Sequence, residues 1–382
     1  MVAPAVLCDA AHAERASPET GTTVAFNDLV GANQMGPVKL PSSEKPVNLL
    51  ILGVNGFIGH HLCRRVLEST NWTIRGIDIS MHRISSFVNS NLYQERFKFM
   101  LGDITGHWDW IESQIKECDA ILPLAAIATP ASYVKQPLRV FELDFEVNLR
   151  IVRMVAENNK RLIFPSTSEV YGRCRDKQFN PEVSELVCGP IRKTRWIYSC
   201  SKQLLDRLIY AYGQEGLDFT IFRPFNWFGA GLDDMHSSTP GSSRVTTQFL
   251  GHIARGEDIT LVDGGSQRRT FTYIDDGIDA LMAIILNQNN IASGKIYNIG
   301  NPTNDYSIRE LATLMLSMAK SKGTYIESAA NVRLNDVDAA KYYGQGYEDV
   351  ENRTPDITST TADLGWLPVV SLEEGVYQLL NS

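Results

Sequence analysis

A doubly wound α/β fold, with helices on both faces of a parallel sheet, is the architecture this sequence predicts, and three observations predict it. Short apolar runs alternate with amphipathic stretches from residue 47 onward. The first run, Val47-Asn48-Leu49-Leu50-Ile51-Leu52-Gly53, is nearly continuous in apolar character, as expected of a strand buried on both faces. It ends in the triplet Gly53-x-x-Gly56-x-x-Gly59, which suits a tight turn from strand into helix.

The elements follow in order. Residues 1–46 are rich in Ala, Ser, Thr, Gly and Pro without sustained periodicity, so a poorly ordered N-terminal extension is expected there. After the first strand a helix is expected at about 57–69. Strands are then expected at Thr73–Ile79 and Phe97–Leu101, a helix at about 107–117, and a strand at Asp119–Leu124. A helix at 138–158, a strand at Arg161–Pro165, a helix at 199–214 and a last strand at Phe219–Arg223 close the series. Such alternation implies βαβ units. Residues 47–228 are therefore read as the nucleotide-binding domain, with segments near 268–290 rejoining it. The loop-rich remainder, 229–382, is read as mainly a smaller C-terminal substrate-binding lobe. The helices at 138–158 and 199–214 carry apolar residues around more than one face, including Val140, Phe141, Leu143, Leu204, Leu205 and Leu208. That breadth predicts packing against the same pair in a second copy, a homodimer.

Composition excludes several classes. A net charge of -8 argues against a nucleic-acid binder. The six cysteines show no C-x-x-C spacing, so neither a metal site nor a disulfide framework is expected. No apolar run approaches the roughly 18 residues of a membrane span. Val2–Leu7 lacks a basic flank and is followed by Asp9, so no signal peptide is expected, and the reading is a soluble cytoplasmic protein.

The motifs carry the chemistry. In the glycine turn Gly53, Asn55, Gly56, Phe57, Ile58 and Gly59 would let a pyrophosphate approach the backbone and the free N–H groups of the next helix. Asp78, ending the second strand, would accept hydrogen bonds from ribose hydroxyls and repel a 2′-phosphate, favouring NAD over NADP. Tyr198-Ser-Cys-Ser-Lys202 puts a phenol and an ammonium four residues apart on one helical face. The cation is expected to draw the phenol down from its reference value of about 10 and make it a base. Pro165-Ser166-Thr167-Ser168-Glu169-Val170-Tyr171-Gly172 follows a buried strand, where ligands of such sheets bind, and offers two hydroxyls and a carboxylate.

Together with Arg223-Pro-Phe-Asn226-Trp, the glycine triplet and Tyr198-x-x-x-Lys202 resemble the extended short-chain dehydrogenase/reductases, whose nucleotide domain is a Rossmann sheet. More narrowly, residues 47–382 are similar to the UDP-glucuronate decarboxylases of the bifunctional polymyxin-resistance (ArnA-type) enzymes. The stretches Leu52–Gly59, Ala126–Pro130, Pro165–Gly172, Arg195–Asp206 and Tyr342–Tyr347 carry this likeness. The formyltransferase part of those enzymes is not matched, so no transformylase role is expected. Thr260 stands where the resemblance implies a lysine. UDP-apiose/UDP-xylose synthases are also similar but carry cysteines where this chain has Ala128 and Ser168, which speaks against ring contraction.

The resemblance implies Thr167, Ser168, Glu169, Tyr198, Lys202 and Arg353 as catalytic residues. It adds Asp103, Ile104, Tyr198 and Lys202 to the cofactor contacts, and implies that Arg195, Asn226, Arg244, Gln267, Arg269 and Tyr347 bind the UDP-sugar. The expected reaction is NAD-dependent oxidation of UDP-glucuronate at C4 with loss of carbon dioxide, giving UDP-4-keto-pentose or, after return of the hydride, UDP-xylose. The alternative is a nucleotide-sugar 4-epimerase or 4,6-dehydratase on the same scaffold.

Overall fold

The computed structural model describes residues 46–237, 243–321, 323–338, 341–342, 350 and 353–382. The extension expected over 1–46 lies outside the described residues except for Pro46, and Tyr347 lies outside them too.

Seven parallel strands form the central sheet: β1 (Asn48–Leu52), β2 (Thr73–Asp78), β3 (Phe97–Leu101), β4 (Ala120–Pro123), β5 (Arg161–Pro165), β6 (Phe219–Pro224) and the strand Lys295–Ile299. Their spatial order is Lys295–Ile299, β6, β5, β4, β1, β2, β3. The order reverses between β1 and β4, and ligands of such sheets bind at that point, beyond the carboxyl ends of the strands. The alternation within β1 shows why it is apolar throughout. Leu49 and Ile51 enter one core and Leu50 and Leu52 the other, so neither face meets water.

Three features differ from the sequence reading. The strand Phe219–Arg223 does not close the sheet, because Lys295–Ile299 pairs beside it, with Lys295 opposite Thr220 and Ile299 opposite Pro224. Lys295-Ile-Tyr-Asn-Ile299 mixes polar and apolar residues within a loop-rich stretch, so no continuous apolar run marks it as part of this sheet. Ahead of it, the helix Ile274–Leu286 packs on the helix Phe57–Ser69 and is buried almost end to end. The single helix expected over 138–158 is divided into Pro137–Phe141, a wide π-helical segment Glu142–Val147, and Asn148–Glu157. A π-turn skips a residue relative to the α-helical ladder. Here the Asn148 Nδ2 donates to the Leu143 carbonyl at 3.0 Å, satisfying a group inside that segment. The helix expected over 199–214 begins earlier, at Trp196, so Tyr198 sits in its first turn.

Three short strand pairs flank the sheet's carboxyl edge: Trp227–Phe228 with Thr272–Tyr273, Arg268–Thr270 with Asp305–Ser307, and Ile259–Val262 with Leu334–Val337. Among the described residues, no helix is long and apolar enough to cross a membrane.

Candidate active site

The glycine turn is as tight as its sequence implies. Gly53 has φ +92, and a Cβ there would lie 2.8 Å from the Ala125 nitrogen. At Gly59 a Cβ would fall 2.5 Å from the Gly53 carbonyl oxygen, so any side chain would push the helix off the turn. The helix Phe57–Ser69 starts without a side-chain cap. Its first N–H groups and dipole therefore face the crevice with nothing from the cap residue to satisfy them. Asp78 sits at the end of β2, where its carboxylate accepts from the backbone nitrogens of Asn55 (2.9 Å) and Ser80 (3.2 Å). Burial raises the Asp78 pKa, and those hydrogen bonds oppose the rise. Asn55 braces the turn, donating to Ser80 Oγ at 2.8 Å and accepting from the Arg83 nitrogen at 2.8 Å. Asp103 is exposed beyond β3 and caps its own turn through Thr105, while Ile104 beside it is buried. A cradle with no room for a Cβ, an uncapped helix start and an acid on the second strand together fit a dinucleotide.

At the neighbouring edge, Tyr198 and Lys202 share a helix face but not the electrostatics expected of them. Tyr198 is buried, with its ring stacked on Tyr133 at 4.5 Å between centroids. Its pKa is raised, first by burial and then by the carboxylates of Asp144 and Glu169; the Thr167 hydroxyl and Arg244 pull the other way. The expectation that Lys202 draws the phenol down is therefore corrected. The Lys202 ammonium donates to the Pro165 carbonyl at 3.1 Å and lies 3.7 Å from Asp144 Oδ1, so a buried carboxylate offsets its charge. Burial lowers the Lys202 pKa, and Asp144 works against that. Asp144 and Tyr133 were not singled out in the sequence. Asp144 is one of three acids between Val140 and Val147, and its place four residues after Val140 was the available signal that it shares that residue's helix face.

Glu169 is the electrostatic hub. Its carboxylate bonds Arg195 Nη2 at 2.5 Å on one oxygen and Arg353 Nη1 on the other. Burial alone would raise its pKa, but Arg195, Arg353 and Arg269 outweigh burial and hold it near about 2. Arg195 also stacks over the Trp196 ring at 4.6 Å. Thr167 caps the turn Ser168–Tyr171 by accepting from the Glu169 nitrogen, which aims Glu169 across the cleft. Ser168 is buried in the same turn.

A cleft of about 990 Å³, its open mouth included, brings together Glu169, Arg195, Asn226, Arg244, Gln267, Arg269 and Arg353. Thr260 also lines it, at the position where a lysine was expected. Arg353 reaches the cleft from the far end of the sequence, its loop pinned by Thr270 Oγ1 donating to the Arg353 carbonyl at 3.2 Å. Arg269 Nη1 donates to the Val350 carbonyl at 2.7 Å. Arg244 is held by Asp233, Nη2 to Oδ1 at 2.8 Å, a partner not anticipated from the sequence. Asn226 adopts a left-handed backbone (φ 41) and donates to the Thr270 carbonyl at 2.9 Å, tying two of the flanking strand pairs together. Among the described residues, no cluster of His, Cys, Asp and Glu could hold a metal ion.

Comparison with known proteins bears on this geometry. A family model described as the NAD dependent epimerase/dehydratase family matches residues 49–300. The crystal structure of the PbgP3 protein from Burkholderia pseudomallei is 56% identical, with 88% of this chain and 95% of that one covered and a TM-score of 0.79. The fold also matches UDP-glucuronic acid 4-epimerase from Bacillus cereus in complex with UDP-glucuronic acid and NAD (23% identity, 87% and 98% covered, TM-score 0.68). A third match is dTDP-glucose 4,6-dehydratase from Bacillus anthracis in complex with NAD (18% identity, 87% and 95% covered, TM-score 0.68).

Proposed function

The chain belongs to the NAD dependent epimerase/dehydratase family, and on that premise we propose that it decarboxylates UDP-glucuronate oxidatively, as the ArnA-type enzymes it resembles do. The products would be UDP-4-keto-pentose or, after reduction, UDP-xylose. The observation that carries this reading is the charge of the cleft. In a chain of net charge -8, the described lining residues include four arginines and a single carboxylate, Glu169. Guanidinium groups suit a ligand that brings both a diphosphate and a sugar carboxylate. A hexose substrate would bring only the first.

NAD is the cofactor of the family, and Gly53, Asn55, Gly56, Phe57, Ile58, Gly59, Asp78, Asp103, Ile104, Tyr198 and Lys202 would hold it. When bound it supplies the acceptor for the C4 hydride. Tyr198, once its phenol is ionised in the liganded site, takes the proton of the C4 hydroxyl as the C4–H electron pair departs, and C4 becomes a ketone. That ketone is β to the C6 carboxylate, so the C5–C6 bond can break with its electron pair delocalised into the carbonyl as carbon dioxide leaves. A proton added at C5, for which Arg353 or a solvent water is the available donor, completes UDP-4-keto-pentose. Arg353 and Arg195 orient the C6 carboxylate, and Glu169 fixes both guanidinium groups. A carboxyl held near about 2 is ionised at neutral pH, so Glu169 organises the site and does not donate the C5 proton in this arrangement. Thr167 and Ser168 face the sugar hydroxyls, while Asn226, Arg244, Gln267, Arg269 and Tyr347 bind the uridine diphosphate.

The same reading includes a second copy packed on the helices near 138–158 and 199–214. Exposed Leu138, Leu204 and Tyr210 support it, and sedimentation of a monomer at working concentration would remove it. The reading as a whole is tested by offering the protein NAD with a panel of UDP-hexuronates and UDP-hexoses and weighing the products. A UDP-pentose formed from UDP-glucuronate alone is expected. C4-epimers or dehydrated hexoses would favour the epimerase or dehydratase alternative.

A further inference from the structure

The wide helical segment Glu142–Val147 carries a carboxylate into the interior beside the Tyr198 helix. Pro137–Phe141 and Asn148–Glu157 bury apolar side chains, Val140 on one side and Ile151, Val152 and Val155 on the other. Between them the buried residue is Asp144, with no exposed surface. Buried acids are expensive unless something repays the desolvation, and π-turns concentrate at functional positions. Asp144 has two partners. Oδ2 accepts from the Ile127 nitrogen at 3.0 Å, in the segment that follows β4. Oδ1 lies 3.7 Å from the Lys202 ammonium, which also donates to the Pro165 carbonyl at the end of β5.

We propose that Asp144 is a positioning residue for the Tyr198–Lys202 pair. Its carboxylate anchors the lysine between the ends of β4 and β5, beside the phenol's helix. The inference rests on the reading of Tyr198 as the base, and not on which sugar is the substrate. The groups facing Asp144 agree with it. Lys202 and Tyr198 approach from the helix Trp196–Gln214, and Tyr133 approaches from the helix Pro130–Lys135. Burial raises the Asp144 pKa to about 6 against the pull of Lys202, so the carboxylate is charged at neutral pH, and that charge raises the phenols of both Tyr198 and Tyr133. Asp206, on the same helix as Lys202, supports the ammonium from further off.

Asp144→Asn keeps the shape and one acceptor for Ile127 but removes the charge. Tyr198 can be followed without substrate or cofactor by the ring-carbon resonance of isotopically labelled tyrosine, assigned by its disappearance in Tyr198→Phe. Its titration should begin at a pH lower by roughly 1 unit in Asp144→Asn than in the wild type, the size of shift a neighbouring charge produces. The acid limb of kcat/KM should move the same way while kcat falls. A contact that only supports the fold would lower kcat and leave both curves where they are. An unchanged titration onset in the folded variant overturns the proposal. If Asp144→Asn does not fold, the pair Lys202→Met and Lys202→Met/Asp144→Asn decides, since removing both charges leaves none buried alone. The double variant should be no slower than Lys202→Met, because the carboxylate has no lysine left to hold and its charge no longer raises the phenol. A further 10-fold loss in the double variant would mean that Asp144 does not act through Lys202. Because the resonance needs no turnover, a wrong substrate assignment would leave this result readable.

Discussion

Replacing Arg353 with methionine is the perturbation whose consequences can be worked furthest from the structure. Arg353 is buried, and its guanidinium holds one oxygen of Glu169 while Arg195 holds the other. Methionine fills most of the volume and removes the charge. The folded protein loses one charge-assisted hydrogen bond, a cost of about 1.5–3 kcal/mol. That is less than the roughly 3–5 kcal/mol of leaving a buried carboxylate alone, because Arg195 and Arg269 remain close to it. The Glu169 pKa should rise from about 2, since one of the cations that lowers it is gone. For the reaction, the group that orients the departing carboxylate is missing. A loss of about 10²–10³ in carbon dioxide release is expected, as for other preorganised donors. NAD affinity should stay near the wild-type value, because the glycine turn and Asp78 are untouched. The assay is release of carbon dioxide from UDP-glucuronate, with NAD binding measured by calorimetry on the same preparation. Wild-type release by a folded Arg353→Met protein would refute the assignment of this residue to the carboxylate.

Asp78→Ala should weaken NAD binding and relax discrimination against NADP, because the ribose acceptor and the charge that repels a 2′-phosphate disappear together; calorimetry with both cofactors checks it. Tyr198→Phe preserves the stack on Tyr133 and should fold normally, yet hydride transfer should drop by the roughly 10²–10⁴-fold typical of losing a general acid–base group. Near-normal single-turnover absorbance traces would remove Tyr198 from the mechanism. Glu169 has a folded pKa lowered from 4.5 to about 2, so its ionised form contributes stability that is fully present above 4.5 and lost as pH falls toward about 2. The gap in melting temperature between wild type and Glu169→Gln should therefore narrow over that range, and a gap that widens on acidification would contradict the clamp.

How much of this was legible depended on how local each feature is. β1 and the glycine turn are written in consecutive residues, because a strand buried on both faces and a turn with no room for a Cβ each demand a residue type at each position. The four-residue spacing of Tyr198 and Lys202 likewise placed both on one helix face. What that spacing could not convey was the charge around them. The phenol's pKa is set by burial, Asp144 and Glu169, which reach it only through tertiary packing, and their sum reversed the expected direction. Asp144 could be placed on the face of Val140 by its four-residue spacing, but it stands between Glu142 and Glu146, and its pairing with Lys202 is made only by tertiary packing. The link from Glu169 to Arg353 spans 184 positions, so the residues could be nominated separately but their pairing could not. The strand Lys295–Ile299 was lost for the opposite reason. It is short and interrupted by polar residues, and only its register against β6 makes it part of the sheet.

The central claim, that this cleft oxidises a hexuronate in order to lose its carboxyl carbon, is tested most directly with UDP-glucuronate labelled at C6. The full chain is incubated with NAD and the labelled substrate, and the label is followed into released carbon dioxide and into the nucleotide-sugar fraction. The account predicts that the label leaves as carbon dioxide in step with the appearance of an unlabelled UDP-4-keto-pentose or UDP-xylose. Full retention of the label in a UDP-hexuronate epimerised at C4 would contradict it.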